Sequence, residues 1–270
     1  MYIFVSSIGR TGTKFLSELF KKITNFPSYH SIEPHCTGNA YIKYNQGKRA
    51  RDSETIQKKI RKIKSKSQNH TLFESSHVFL RCYATPAISK LPDVHVIHIT
   101  RDPIETAKSY SNRGSFPGNK EKPWRLPLNL KRSLLYLPEK NQLTKLQQNL
   151  CDWLENEMRY AELKPKFTKT YDMYHSDLND PEVYIKMFQH FGIKESELKQ
   201  DKLRQVLTEN KLNRNQNPKK TILNTQDQQE AQQLIEILHR NKIKIDLFRQ
   251  PYYTKYQFIQ DLIKIQPSTQ

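Results

Sequence analysis

The sequence predicts an α/β protein of three layers, α/β/α, with helices on both faces of a central parallel sheet. Three observations carry that prediction. A continuous apolar run, Ile3 to Val5, passes through a loop of small residues into a helical pattern. The strongest strand, Val94 to Thr100, runs directly into a capped helix, and the alternation returns after Phe167. Strands with no polar alternation are buried on both faces, so the intervening helices must cover them.

Taken in order, Ile3, Phe4 and Val5 form the first strand. From Thr13 the spacing changes: Phe15, Leu16, Leu19, Phe20 and Ile23 recur at i, i+1, i+4, i+5 and i+8, one face of a helix. A second strand is expected near Tyr29 to Ile32, ending at Glu33-Pro34, and a third around Thr71 to Phe73, ending near Glu74 to His77. After Thr100, Asp102 caps a helix, Pro103 suits its first turn, Glu105 completes a capping box and Gly114 ends it. Asn141 to Leu163 reads as a long amphipathic helix with Leu143, Leu146, Leu150, Trp153 and Leu154 on its apolar side. A strand near Phe167 to Tyr174 leads to Asp180-Pro181 and a helix whose stripe of Val183, Tyr184, Met187, Phe188 and Phe191 is stopped by Gly192. The chain reads as a single domain over 1–270, with a basic insertion at about 38–70 and a lid-like insertion at about 114–140.

Composition narrows the function classes. Hydrophobic residues make up 36% and charged residues 27%, polar for a globular chain but outside the disordered class. The net charge of +18, from 45 Lys and Arg against 27 Asp and Glu, predicts attraction to an anion: nucleotide, nucleic acid, acidic glycan or lipid. Lys43 to Lys66 concentrates ten basic side chains against Asp52 and Glu54, the pattern of a solvated helix or lid. Cys36, Cys82 and Cys151 lack the paired spacing of a zinc site and are odd in number for a disulfide framework, so no metal is expected and the thiols are expected to be reduced. The start MYIFVSSIGR lacks the features of a signal peptide and no apolar run reaches spanning length, which predicts a soluble cytoplasmic protein.

A small-residue loop between a buried strand and a helix places backbone N–H groups and the positive end of the helix dipole where an anion can sit. Ser7 to Lys14, SIGRTGTK, fits this pattern. Gly12 permits close backbone approach, Thr11 and Thr13 offer hydroxyls, and Arg10 and Lys14 supply charge. The triphosphatase loop G-x-x-x-x-G-K-S/T is not matched, because Thr13 follows Gly12 and Ser7 replaces the first glycine. Val94 to Thr100 also runs into Arg101 before Asp102, so no strand ends in the metal-binding acid of those enzymes.

IGRTGTKFL resembles the 5'-phosphosulfate loop of the sulfotransferase superfamily, written near P-K-S-G-T-T-W. Arg10 falls on its lysine, Thr11 on the serine, Gly12 on the glycine, Thr13 on the first threonine and Phe15 on the aromatic residue. Lys14 departs from the pattern, standing where the family commonly has a hydroxyl; a charge-assisted contact would replace it. VIHITRDPIETAKSY resembles the family's 3'-phosphate segment, an arginine at a strand end and a serine eight positions later, here Arg101 and Ser109. YHSDLNDPEVYIKMFQHFGI is similar to a late strand and helix of the family and carries no catalysis.

The resemblance implies a P-loop-like sulfotransferase fold and a sulfuryl group taken from 3'-phosphoadenosine 5'-phosphosulfate without a metal. Arg10 would stabilise the leaving 5'-phosphate. Glu33, placed as in branches that include the tyrosine-modifying enzymes, and His77, near the histidine of the cytosolic small-molecule enzymes, are the two candidate bases. Arg214, Lys219 and Lys220 are the nearest substitute for a late basic loop, and Phe116, Trp124 and Tyr136 are candidates to line an acceptor pocket. A small-molecule or saccharide acceptor is implied, and the charge favours an anionic one; nucleic acid is not the expected partner. Two rival readings are a divergent P-loop kinase using ATP and a basic polyanion-binding module built on Lys43 to Lys66.

Overall fold

The structure is a computed structural model of the chain and describes residues 1–37, 42–44, 46, 53–122, 124–125, 127–209, 222–243 and 246–265. Its regular elements are β1 (Tyr2–Ser6), α1 (Thr13–Ile23), β2 (Ser28–His30), α2 (Glu54–Ser67), β3 (Leu72–Ser75), α3 (Phe79–Cys82), α4 (Ala84–Lys90), β4 (Val94–Thr100), α5 (Pro103–Ser111), α6 (Lys145–Leu163), β5 (Lys169–Tyr174), α7 (Pro181–Phe191), α8 (Gln200–Thr208), α9 (Thr225–Arg240), α10 (Pro251–Thr254) and α11 (Gln257–Ile265). By contacts the chain forms two compact units, 1–101 with 162–219, and 102–161 with 220–270.

The first unit holds the sheet. Its five strands run in the order β2-β3-β1-β4-β5, and every pairing is parallel. β1, β3 and β4 are buried along their whole length, with Glu74 and Ser75 of β3 and His95 and His98 of β4 buried among their apolar residues. On one face α1, α7 and α8 contribute Leu16, Leu19, Phe20, Tyr184, Met187, Phe188 and Leu203 to a core with Ile3, Val5, Phe73, Ile97 and Met173. Phe20 stacks on Phe73 with ring centroids 4.0 Å apart. On the other face Phe4 stacks on Phe79 of α3 at 4.5 Å, with Tyr83 edge-on. The predicted three layers are therefore present within this unit.

Boundaries follow local chemistry. α1 starts at Thr13 as the periodicity requires. α7 starts after Asp180, whose side chain accepts from the Glu182 amide, and stops at Gly192, a left-handed residue with φ of 74°. The third strand covers Leu72 to Ser75 and the second only Ser28 to His30, shorter than its sequence reading because Ser31 turns left-handed at φ 57°.

α2 differs from the solvated helix that its charge suggests. Ile56, Lys59, Ile60 and Ile63 are buried, and Lys59 is only 1% exposed. Its ammonium group is bonded to Glu74 Oε1 and to the carbonyl of Ile32, while the Ile32 amide donates to the same Glu74 oxygen at 2.8 Å. The ammonium also lies 5.0 Å from the centre of the Tyr83 ring. A buried charge is tolerable only when paired and hydrogen-bonded in this way. Beside it, Cys36 and Cys82, distant in sequence, come within hydrogen-bonding reach as buried free thiols; burial pushes the Cys82 thiol up.

The second unit is helical, built from α5, most of α6, α9, α10 and α11. Asp102 caps α5 as predicted, accepting from the Glu105 amide at 2.9 Å. The segment after Gly114 is fastened to α6: Arg125 pairs with Asp152 at 2.7 Å, both almost fully buried, and Glu155 accepts from the Leu134 and Leu135 amides. Among the described residues, no helix is long and apolar enough to cross a membrane.

Candidate active site

In a parallel sheet, ligands bind beyond the carboxyl ends of the strands, where the chain leaves neighbouring strands in opposite directions. Here that point lies beside β1, whose successors β2 and β3 go to one side and β4 to the other. The loop after β1 and the end of β4 flank it. Both predicted phosphate segments begin there.

The loop has an unusual backbone. Gly9, Arg10 and Gly12 all have positive φ, 94°, 59° and 99°. Glycine takes that conformation freely; arginine does not, and such strain persists only where surrounding contacts fix it. One such contact is Arg101, whose Nη1 donates to the carbonyl of Arg10 at 3.2 Å. The two basic segments, ninety-one residues apart, thus meet. A Cβ at Gly12 would also stand 2.5 Å from Leu178 Cδ1, so that side chain would have to shift.

Gly12 is the N-cap of α1, no side chain caps this helix, and its first turn contains no acidic residue. The initial N–H groups and the helix dipole are therefore left to an external anion. Thr11 is wholly buried and Ser7 is 2% exposed, and the hydroxyl of each lacks a hydrogen-bond partner in the protein. Thr100, at the end of β4, is in the same condition. Buried hydroxyls without partners are costly, and their grouping around one loop fits a ligand that supplies the missing bonds. Lys14 is exposed, Arg10 and Phe15 are half-buried, and Thr13 is buried in the first turn of α1.

Glu33 lies in the turn after β2 with its side chain 83% exposed, its Oε1 3.9 Å from His35 Nε2. His77 follows β3 and is half-buried. Ser109 is buried in α5 of the second unit. Trp124 and Tyr136 of that unit are exposed, and Phe116 lies under the Lys145 ammonium at 5.3 Å. Arg214, Lys219 and Lys220 lie outside the described residues.

The sequence reading missed His30. Parallel pairing puts it opposite Ser75, which is itself opposite Val5. Its Nδ1 is 2.9 Å from Ser75 Oγ, an arrangement that fixes the ring. His30 is exposed at the end of β2, and partial desolvation of its ring, then the charge of Lys14, hold its pKa below the ordinary 6.5, with His35 and Lys59 acting in the same sense and Glu18 against them. The ring is thus neutral at pH 7 and carries a basic nitrogen. Only the pairing of β2 with β3 could have revealed it.

The donor chemistry of this set is that of an anion site. Among the described residues, no group of three or more His, Cys, Asp or Glu side chains could hold a metal ion. The sequence matches no family model and no curated protein. Among solved structures it is similar to a sulfotransferase from Alicyclobacillus acidocaldarius, with 12% identity and a TM-score of 0.50 over 92% of this chain and 98% of that one. It is also similar to the sulfotransferase domain from the curacin biosynthetic pathway, with 11% identity and a TM-score of 0.41 over 86% of this chain and 96% of that one. The likeness to the first of these is one of fold: the same three-layer arrangement of helices about a parallel sheet.

Proposed function

We propose that the protein transfers the sulfuryl group of 3'-phosphoadenosine 5'-phosphosulfate to a hydroxyl or amine acceptor without a metal. The observation that carries this reading is the meeting of Arg101 with the Arg10 carbonyl, which joins the two segments that resemble the superfamily's phosphate sites. The buried hydroxyls of Ser7 and Thr11 and the uncapped start of α1 support an anion at this loop.

In this reading the first turn of α1, Thr11, Thr13 and Lys14 hold the 5'-phosphate, with Phe15 beside them. Arg101 and Ser109 hold the 3'-phosphate, Ser109 being assigned from the sequence resemblance. When bound, the donor supplies an activated sulfuryl group. The acceptor oxygen bonds to sulfur as the bond to the 5'-phosphate oxygen breaks, and a base on the protein takes the acceptor's proton. Products are the sulfate ester and adenosine 3',5'-bisphosphate. Arg10 offsets the charge that gathers on the leaving phosphate. Glu33 and His77 are the bases the sequence offers, and His30 joins them because its ring is fixed and neutral.

Calorimetry with adenosine 3',5'-bisphosphate tests the donor assignment. Micromolar or tighter binding independent of magnesium is expected; absence of binding, or magnesium-dependent binding of ATP in its place, rejects it.

A further inference from the structure

Helix α2 has two faces of opposite character. Ile56, Lys59, Ile60 and Ile63 are buried, and the bonds of Lys59 to Glu74 and Ile32 lock the helix against the strand ends. On the other side Lys58, Arg61, Lys62 and Ser65 recur at i, i+3, i+4 and i+7. Together with Glu33 and Pro34 they line a cavity of about 520 Å³. The cavity thus opens beside one candidate base on a fixed platform.

Its charge is unbalanced. Among the described residues that line it, three cations stand against one carboxylate, and Lys58 is already paired with Glu54 at 2.7 Å. Among the described residues, no carboxylate lies within ion-pair distance of Arg61 or Lys62. Among the described residues, no aromatic ring lines the cavity, which disfavours a phenolic or steroid-like occupant. The volume is enough for one or two sugar rings.

We propose that this cavity holds the acceptor and that the acceptor is an acidic saccharide. Its carboxylate or sulfate group lies on Arg61 and Lys62, with a hydroxyl toward Glu33 and Ser65. Arginine gives a carboxylate or sulfate a bidentate fork, and Lys62 adds a second charge one residue on. The assignment rests on the sulfotransferase reading and names the acceptor class for it.

The test is calorimetry on the full chain in 0.15 M salt, with a hyaluronan tetrasaccharide as probe and neutral chitotetraose as its uncharged counterpart. The charged sugar is expected to bind and the neutral one not. Arg61→Ala with Lys62→Ala is expected to weaken binding at least about tenfold. Glu33→Gln is expected to tighten it a few-fold by removing the one opposing charge. Lys21→Ala with Lys22→Ala removes equal charge from the far end of α1 and is expected to change nothing; all variants are checked to melt like the parent. Equal losses from the two double variants would show a diffuse field and overturn the proposal. So would equal binding of chitotetraose, no binding of the charged probe, or tighter binding of a mixed-sequence oligonucleotide at Arg61 and Lys62. Adenosine 3',5'-bisphosphate is titrated in parallel. A chain that binds the tetrasaccharide but not the bisphosphate keeps the cavity and loses the donor reading, and the reverse result separates them the other way.

Discussion

Arg101 Nη1 donates to the backbone carbonyl of Arg10 across 3.2 Å, tying the end of β4 to the loop after β1. In the proposed reading the same guanidinium also holds the donor's 3'-phosphate. Arg101→Ala is therefore expected to weaken adenosine 3',5'-bisphosphate binding by about 1.5–3 kcal/mol, the range for a charge-assisted hydrogen bond. Arg101→Lys would restore only part of it, since an ammonium cannot bond the loop carbonyl and a phosphate with one planar fork. Amide hydrogen exchange at Gly9 to Gly12 should quicken in the alanine variant; unchanged affinity and exchange would show the bond to be incidental.

The hydroxyl of Thr11 is buried without a partner. Thr11→Val keeps the shape and removes the unsatisfied group, so the ligand-free protein is expected to melt at the same temperature or higher, while bisphosphate affinity falls severalfold. A lower melting temperature with unaltered affinity would mean that the hydroxyl serves the fold and not a ligand.

Gly12 combines a φ of 99° with Leu178 Cδ1 at 2.5 Å from the missing Cβ. Gly12→Ala is expected to destabilise by about 1–3 kcal/mol from backbone strain, with the steric clash in addition. Adding Leu178→Ala opens the space but leaves the strain, so a denaturant titration of the double variant should recover none of the backbone portion. Full stability of Gly12→Ala would show that the loop relaxes freely.

His30 should titrate below 6.5 because partial desolvation, and next Lys14, disfavour its charged form. The unfolded chain then binds the proton first as acid is added, so stability is fully present above 6.5 and declines as pH falls from there through the lower folded value. An imidazole NMR titration checks this: Lys14→Ala should raise the midpoint, and His30→Asn should abolish any acid limb of activity that follows it. A midpoint at or above 6.5 would contradict the placement beside Lys14.

Much of the fold was legible because its signals are local. The change of period at Thr13, the caps at Asp102 and Asp180 and the stop at Gly192 each depend on a few consecutive residues. The contact of Arg101 with the Arg10 loop is not local, and only the resemblance put the two segments in one site. His30 depends on β2 pairing with β3, and Lys59 on Glu74, which another element supplies. In ETIQKKIRKIKSKS one buried lysine looks like its exposed neighbours, because a partner fifteen residues on decides its fate. Glu33 and His77 were named as candidate bases from the family resemblance, which does not order the two.

The division of α2 into a locked inner face and a charged outer one has an evolutionary corollary. Positions 56, 59, 60 and 63 bear the cost of holding the helix, so positions 58, 61, 62 and 65 are free to diverge without unfolding it. Descendants of this chain could exchange one clientele for another by repainting four side chains. The loop after β1 and the end of β4 would be inherited untouched.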